Sequence, residues 1–250
     1  MSAARRPSVR TIPTPVGPAR ATLHRPPFGT AARGSLVLGH GAGGSGPSRD
    51  LAALTALTQD GWVVVLVDQP WRVAGRRVAT PPPQLDVAWA ACWRSLVGRA
   101  GTARAAPAEP AGPAEPAGPA ARATGGRRLP GPHIAGGRSA GARVVARTAV
   151  DLRPDGLLLL SFPLEPPARG DRPRPSRSDE LAAARVAEVP LLLVQGRTDS
   201  FGRPERLAQA AGFDVVPVRG GHGFAGDAAD VRAAVSDWLD ATWPAAVGAE

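Results

Sequence analysis

The strongest constraint on this chain's fold is a set of short runs that are apolar on both faces. Residues 35–38 (SLVL), 62–67 (WVVVLV), 156–162 (GLLLLSF) and 190–194 (PLLLV) show no alternation of apolar and polar positions. Such strands are stable only in a sheet covered on both sides. Between them lie segments of helical character at 51–57, 85–97, 140–150, 180–188, 204–211 and 228–239. In 85–97, Leu85, Trp89, Cys92, Trp93 and Leu96 recur at helical spacing. Two shorter strands are read at 133–135 and 214–218, and residues 9–13 and 19–23 read as an N-terminal hairpin around Val16-Gly17-Pro18. Strands alternating with helices predict an α/β fold: a mostly parallel central sheet with helices on both faces.

A length of 250 residues suits a single domain of this class spanning 1–250. Residues 105–123 interrupt the pattern with alanine, proline, glycine and glutamate, including the repeat PAEPAG at 107–112 and again at 113–118. With no large apolar side chain this stretch cannot offset its ordering entropy, so 101–128 is read as a disordered insert within the domain.

Every basic residue is an arginine, and tyrosine is absent. Without lysine there is no Walker A loop, no pyridoxal Schiff base and no Ser-x-x-Lys nucleophile. The formal charge of +9 comes without a dense basic run or an aromatic-rich strand, so it is read as a solvated basic surface and not a nucleic-acid site. The single cysteine, Cys92, falls on the apolar stripe of its helix and is read as a buried thiol. The N-terminal residues lack the apolar core of a signal peptide, and no apolar run is long enough to span a bilayer. The expectation is a cytoplasmic protein with no membrane partner; the oligomeric state is not legible.

Chemistry enters at residues 137–141, GRSAG, which match Gly-x-Ser-x-Gly between a strand-like and a helix-like run. That setting is a nucleophile elbow, with Ser139 on a sharp strand-to-helix turn. A serine nucleophile needs a base to take its proton and an acid to orient that base. Downstream, Asp199 follows the strand at 191–194, and His222 follows the strand at 214–218 in GGHGF. Both fall in loops leaving the C-terminal ends of strands, where open α/β sheets build their sites. Asp214 opens its strand at the wrong edge, which leaves Asp199 as the acid over Asp214, Asp227 and Asp68. The oxyanion donors are expected to be the backbone N–H of Ala140 and, from the small-residue loop GHGAGG at 39–44, that of Ala42. His40 is read as shaping that loop.

The same loop also matches Gly-x-Gly-x-x-Gly at 41–46, with Asp68 ending the next strand. Taken alone this is a dinucleotide fingerprint and the basis of an alternative reading as an NAD-binding oxidoreductase. Pro47-Ser48-Arg49-Asp50 delays the helix past the third glycine, whereas the fingerprint needs it to start within the glycines. No His-x-x-x-His or Cys-x-x-Cys spacing points to a metal. Neither cofactor nor metal is expected.

With GHGAGG (39–44), GGRSAGAR (136–143), FPLEPP (162–167), VQGRTDSFG (194–202) and GHGF (221–224) in view, the chain resembles the α/β-hydrolase superfamily. More narrowly it is similar to the small dienelactone-hydrolase-related branch that includes NSL chromatin-complex subunits and their bacterial relatives. The resemblance implies an esterase-like fold with Ser139, Asp199 and His222 as a triad acting on a small-molecule acyl substrate, in the carboxylesterase-like class (EC 3.1). It also allows a non-catalytic scaffold on the same fold. The stretch 163–179 is too short for a large cap domain. Arg138 and Trp71 are candidate substrate contacts, and Arg138, Arg169, Arg172, Arg174, Arg177 and Arg197 together would give the site a basic mouth.

Overall fold

A computed structural model describes residues 5–43, 46–98, 128–166, 175–212, 214–226 and 228–245. Among the described residues, eight strands form one sheet: β1 (Ser8–Ile12), β2 (Ala19–His24), β3 (Gly34–Gly39), β4 (Trp62–Asp68), β5 (His133–Arg138), β6 (Gly156–Leu160), β7 (Leu191–Gly196) and β8 (Val216–Val218). Their spatial order is β1-β2-β4-β3-β5-β6-β7-β8. The hairpin strands β1 and β2 run antiparallel, and β2 lies antiparallel to β4; every other pairing is parallel. The helices are α1 (Arg49–Leu54), α2 (Pro70–Val73), α3 (Pro82–Val97), α4 (Ala140–Leu152), α5 (Ser178–Val186), α6 (Pro204–Ala211) and α7 (Ala229–Thr242).

The two-sided apolar runs are the central strands, and each feeds two cores. Val37, Val63, Val65, Leu157 and Leu159 pack on one side with α3, α4, α5 and α6. Leu36, Leu38, Val64, Leu158 and Leu160 pack on the other with α1 and α7. This is the α/β architecture expected from the alternation, and it agrees with the α/β-hydrolase fold that the resemblance implies; the seventeen residues between β6 and α5 are too few for a large cap domain.

Of the boundaries that differ from the sequence reading, four have a local physical cause. The helix expected over 51–57 ends at Leu54 and continues as a 3₁₀ turn, Thr55–Asp60. There the Thr55 and Thr58 hydroxyls donate to Ala52 O and Thr55 O, three residues back, which tightens the winding before Gly61 turns at φ 88°. Strand β5 runs past Ala135 through two glycines because Leu38 and Leu158 fill the space a Gly136 side chain would need. Strand β6 stops at Leu160, since Ser161 takes φ 45°. Strand β8 is cut to three residues at the sheet edge, where Pro217 has no N–H to give a further neighbour. The short helix α2 had no periodicity to betray it. The Ala/Pro/Gly-rich insert, except Arg128, lies outside the described residues.

Cys92 is buried on α3 between the Trp89 and Trp93 turns, and burial pushes its thiol up to about 12. At pH 8 almost no thiolate forms. The native protein should therefore resist Ellman's reagent at pH 8 and react with one equivalent in guanidinium; rapid native labelling would contradict the burial.

Candidate active site

Strand β5 delivers Ser139 at its C-terminal end, and α4 begins at the next residue. The serine sits at φ 53°, ψ −112°, a conformation L-residues rarely adopt. The glycines two residues either side make this turn possible. A Cβ on Gly137 would stand 2.5 Å from Gly141 C, and one on Gly141 would stand 2.5 Å from Gly39 O. The elbow thus closes on itself and on the end of β3.

Asp199 leaves the end of β7 and His222 leaves the end of β8. His222 Nε2 is 2.9 Å from Ser139 Oγ, and its Nδ1 is 2.9 Å from Asp199 Oδ2. In the neutral imidazole, Nδ1–H donates to the carboxylate and Nε2 is left to accept the serine hydroxyl. The structure therefore brings together the serine, histidine and aspartate singled out from sequence.

Asp199 is buried, and both of its carboxylate oxygens accept hydrogen bonds. Gln195 Nε2 donates to Oδ2 at 2.8 Å, and the Phe201 N–H donates to Oδ1 at 2.8 Å. Gln195 also donates to Gly202 O at 2.8 Å, tying the strand end to the loop's far side. The Phe201 ring lies 4.3 Å, centroid to centroid, from the His222 ring. Close approach of the acid and base loops requires Gly196, where a Cβ would collide with Gly221 O. Gln195 and Phe201 were not recognised in the sequence; only their place beside Asp199 in QGRTDSF could have drawn attention to them.

The loop after β3 passes against the elbow: a Cβ on Gly41 would stand 3.4 Å from Ser139 Cβ. Ala42 is exposed in this loop, and Ala140 opens α4 directly after the serine. His40 is buried and fully paired. Its Nδ1–H donates to Gly41 O at 2.7 Å, and its Nε2 accepts the Gln69 N–H at 3.0 Å. Burial, chiefly, and the nearby Arg72 cation lower its pKa from the ordinary 6.5 to about 4. Trp71 meets the His40 ring edge-on at 5.3 Å. It lines, with Gly41, Leu85, Trp89, Ala140 and Val144, a crevice of only about 10 Å³, scarcely enough for one water.

Arg138 does not project freely. Its Nη2 donates to His222 O at 2.7 Å, and its Nε lies 3.1 Å from the buried Asp50 carboxylate. Arg177 donates to Pro163 O at 2.6 Å, and Arg197 lines an open groove between β8 and α7. Arg169, Arg172 and Arg174 lie outside the described residues. Asp68, the acid of the dinucleotide-like pattern, is ion-paired with Arg20 at 2.7 Å and Arg72 at 3.4 Å. The helix that follows that loop starts only at Arg49, past the third glycine, and not within the glycines as the fingerprint needs. Both features count against the oxidoreductase alternative.

A family model described as an alpha/beta hydrolase domain matches residues 117–225. No curated protein matches the sequence. Among solved structures, the fold is similar to a lidless α/β serine hydrolase from Xanthomonas campestris, at 17% identity, TM-score 0.64, and 98% and 99% coverage of this chain and that one. An α/β serine hydrolase homologue from Coxiella burnetii matches at 18% identity and TM-score 0.66, covering 94% and 99%. The esterase domain of a Rhodothermus marinus protein matches at 18% and 0.60, covering 94% and 98%.

Two consequences are measurable. Gly141→Ala would press its methyl onto backbone atoms of Gly39 and His40. It should lower stability by about 1–3 kcal/mol in urea unfolding, the usual cost of overpacking; an unchanged midpoint would contradict the close approach. For His40, the folded pKa is depressed, so the unfolded chain binds the proton more readily. Its contribution is complete above the unfolded value, declines as pH falls from 6.5, and is gone by about pH 4. The shift corresponds to on the order of 3 kcal/mol. Between pH 7 and 4, wild-type stability should fall more steeply than that of His40→Gln by an amount of this order, and parallel curves would refute it.

Proposed function

We propose that this chain is a member of the α/β-hydrolase superfamily and a serine hydrolase that cleaves an ester or similar acyl bond of a small-molecule substrate. The observation that carries the reading is the continuous Ser139–His222–Asp199 hydrogen-bond line, with 2.9 Å at each step. The strained turn supports it, because a backbone held in a rare conformation at an exposed end of a sheet is costly unless that serine has work to do. The neighbours described as serine hydrolases and an esterase support the same class of chemistry.

In the proposed mechanism, His222 Nε2 takes the Ser139 proton as Oγ attacks the acyl carbonyl. The carbonyl π electrons move onto oxygen, and the N–H groups of Ala140 and Ala42 stabilise the resulting oxyanion. Collapse of the tetrahedral intermediate breaks the bond to the leaving alcohol, which receives its proton from His222. Water then enters by the same route: His222 deprotonates it, the acyl-enzyme is attacked, and Ser139 Oγ leaves with the proton returned. Asp199 stabilises the imidazolium formed at each step, and Gln195 and the Phe201 N–H keep its carboxylate aimed at Nδ1. Arg138, through His222 O, helps hold the base loop. A carboxylesterase-like activity fits these steps best.

A fluorophosphonate probe should label the wild-type protein and leave folded Ser139→Ala unlabelled. Asp199→Asn should lower kcat for a p-nitrophenyl ester by roughly 10³- to 10⁴-fold with little change in KM, since the imidazole loses its tautomer partner. Persistent labelling of Ser139→Ala would overturn the assignment, and a folded wild type that takes no label would favour a non-catalytic role.

A further inference from the structure

We infer that Arg72 and His40 are positioning residues that lock the Gly41–Ala42 peptide with the Ala42 N–H turned toward the reacting carbonyl. The inference rests on the serine-hydrolase reading above and supplies the device that keeps its oxyanion donor in place. In a trans peptide the C=O and the N–H point in opposite directions. Among the described residues the cis bond lies elsewhere, at Gly131–Pro132. Whatever holds Gly41 O therefore also sets the direction of the Ala42 N–H.

Gly41 O has two donors, both on buried side chains: His40 Nδ1–H at 2.7 Å and Arg72 Nη2 at 3.3 Å. The carbonyl faces inward, so the amide of the same peptide faces outward. The outward side is the one this loop shares with the nucleophile, since Gly41 approaches Ser139 and Ala42 is exposed. Arg72 extends the same hold along the loop. Its Nη2 also donates to Gly43 O at 3.0 Å, and its Nη1 donates to Gly46 O at 3.2 Å. One guanidinium thus gathers three carbonyls of a loop that has almost no side chains with which to hold itself. A planar fork with several donors can serve such divergent acceptors; an ammonium on one nitrogen cannot match that geometry.

The lock matters because the peptide would otherwise be free to turn. Gly41 carries no Cβ to oppose rotation. Without its donors, Gly41 O would be a buried acceptor with nothing to bind, and rotating it to solvent would relieve that cost. The same rotation would carry the Ala42 N–H inward, away from the oxyanion. Arg72 and His40 therefore act through the peptide and touch no substrate. Their effect should fall on the transition state and not on substrate binding.

The test compares Arg72→Ala, Arg72→Lys and His40→Gln with wild type in p-nitrophenyl acetate hydrolysis. Active sites are counted with a fluorophosphonate, and affinity is measured for a trifluoromethyl ketone that forms a tetrahedral adduct. Arg72→Ala should lower kcat by roughly 100- to 1000-fold, the scale of losing one oxyanion donor, with KM little changed. Ketone affinity should fall in proportion to kcat/KM, and Arg72→Lys should be intermediate. If Arg72→Ala does not fold, Arg72→Lys and His40→Gln carry the comparison by the same criteria. Folded variants that keep wild-type kcat per titrated site and wild-type ketone affinity would overturn the lock while leaving the hydrolase reading intact. A wild type that neither hydrolyses the ester nor takes the probe would instead remove the hydrolase reading on which the lock depends.

Discussion

The close approach of Gly137, Gly141 and Gly39 around Ser139 is the contact on which the candidate site depends. The serine's backbone is in a conformation that costs about 1–3 kcal/mol, and such strain persists only where its surroundings leave no alternative. Here the surroundings are two-sided. Below the turn, β5 is fixed between β3 and β6 with Leu38 and Leu158 pressed against Gly136. Above it, α4 packs against α3, α5 and the sheet through Ala142, Val145, Ala146 and Ala149. The chain cannot relax the serine without separating a helix from the sheet. The same approach of Gly141 to Gly39 O sets where the loop after β3 starts, and Gly41 of that loop lies against Ser139.

Around this turn, three loops from three strand ends converge, and each is tied down by hydrogen bonds from polar side chains. Gln195 and the Phe201 N–H hold Asp199. Arg138 holds the His222 carbonyl. His40 and Arg72 hold the loop after β3. Loops so rich in glycine have few side chains to bury, so hydrogen bonds to their carbonyls are the available means of ordering them. This arrangement also explains why His40, a histidine close to Ser139, is unsuited to act as a base. Its two ring nitrogens are committed to a carbonyl and an amide, and its depressed pKa keeps it neutral.

The sequence made the fold legible because the apolar runs at 36–38, 62–67 and 157–160 permit only central parallel strands, and it made the candidate triad of Ser139, Asp199 and His222 legible because each follows the C-terminal end of a strand-like segment. What it concealed depends on contacts between distant segments. Nothing local marks Gln195 as the partner of Asp199, since a glutamine at a strand end is usually solvated. Arg138 reads as a substrate contact beside the serine, yet its guanidinium reaches His222 O, eighty-four residues on, and the Asp50 carboxylate. The glycines of β5 resemble a turn in one dimension and become strand only between Leu38 and Leu158. The 3₁₀ turn at Thr55–Asp60 escaped for a different reason: hydroxyl bonds to carbonyls three residues back outweigh the helical period of its apolar residues.

The arginine-only composition acquires a physical meaning from these contacts. A formal charge of +9 invites the idea of an anionic partner, but the guanidiniums nearest the site are occupied within the fold. Arg72 serves three loop carbonyls and Arg138 serves His222 O. Arg177 serves Pro163 O, and Arg143 and Arg147 join Glu180 and Asp86 across α3, α4 and α5. Lysine could supply the charge at each place but not the planar set of donors that meets two or three acceptors at once. A basic count taken over the whole chain therefore overstates the positive charge available to a substrate. Electrostatic selection at this candidate site has to be judged from the guanidiniums that remain uncommitted at its rim, and Arg138, the one adjoining Ser139, is not among them.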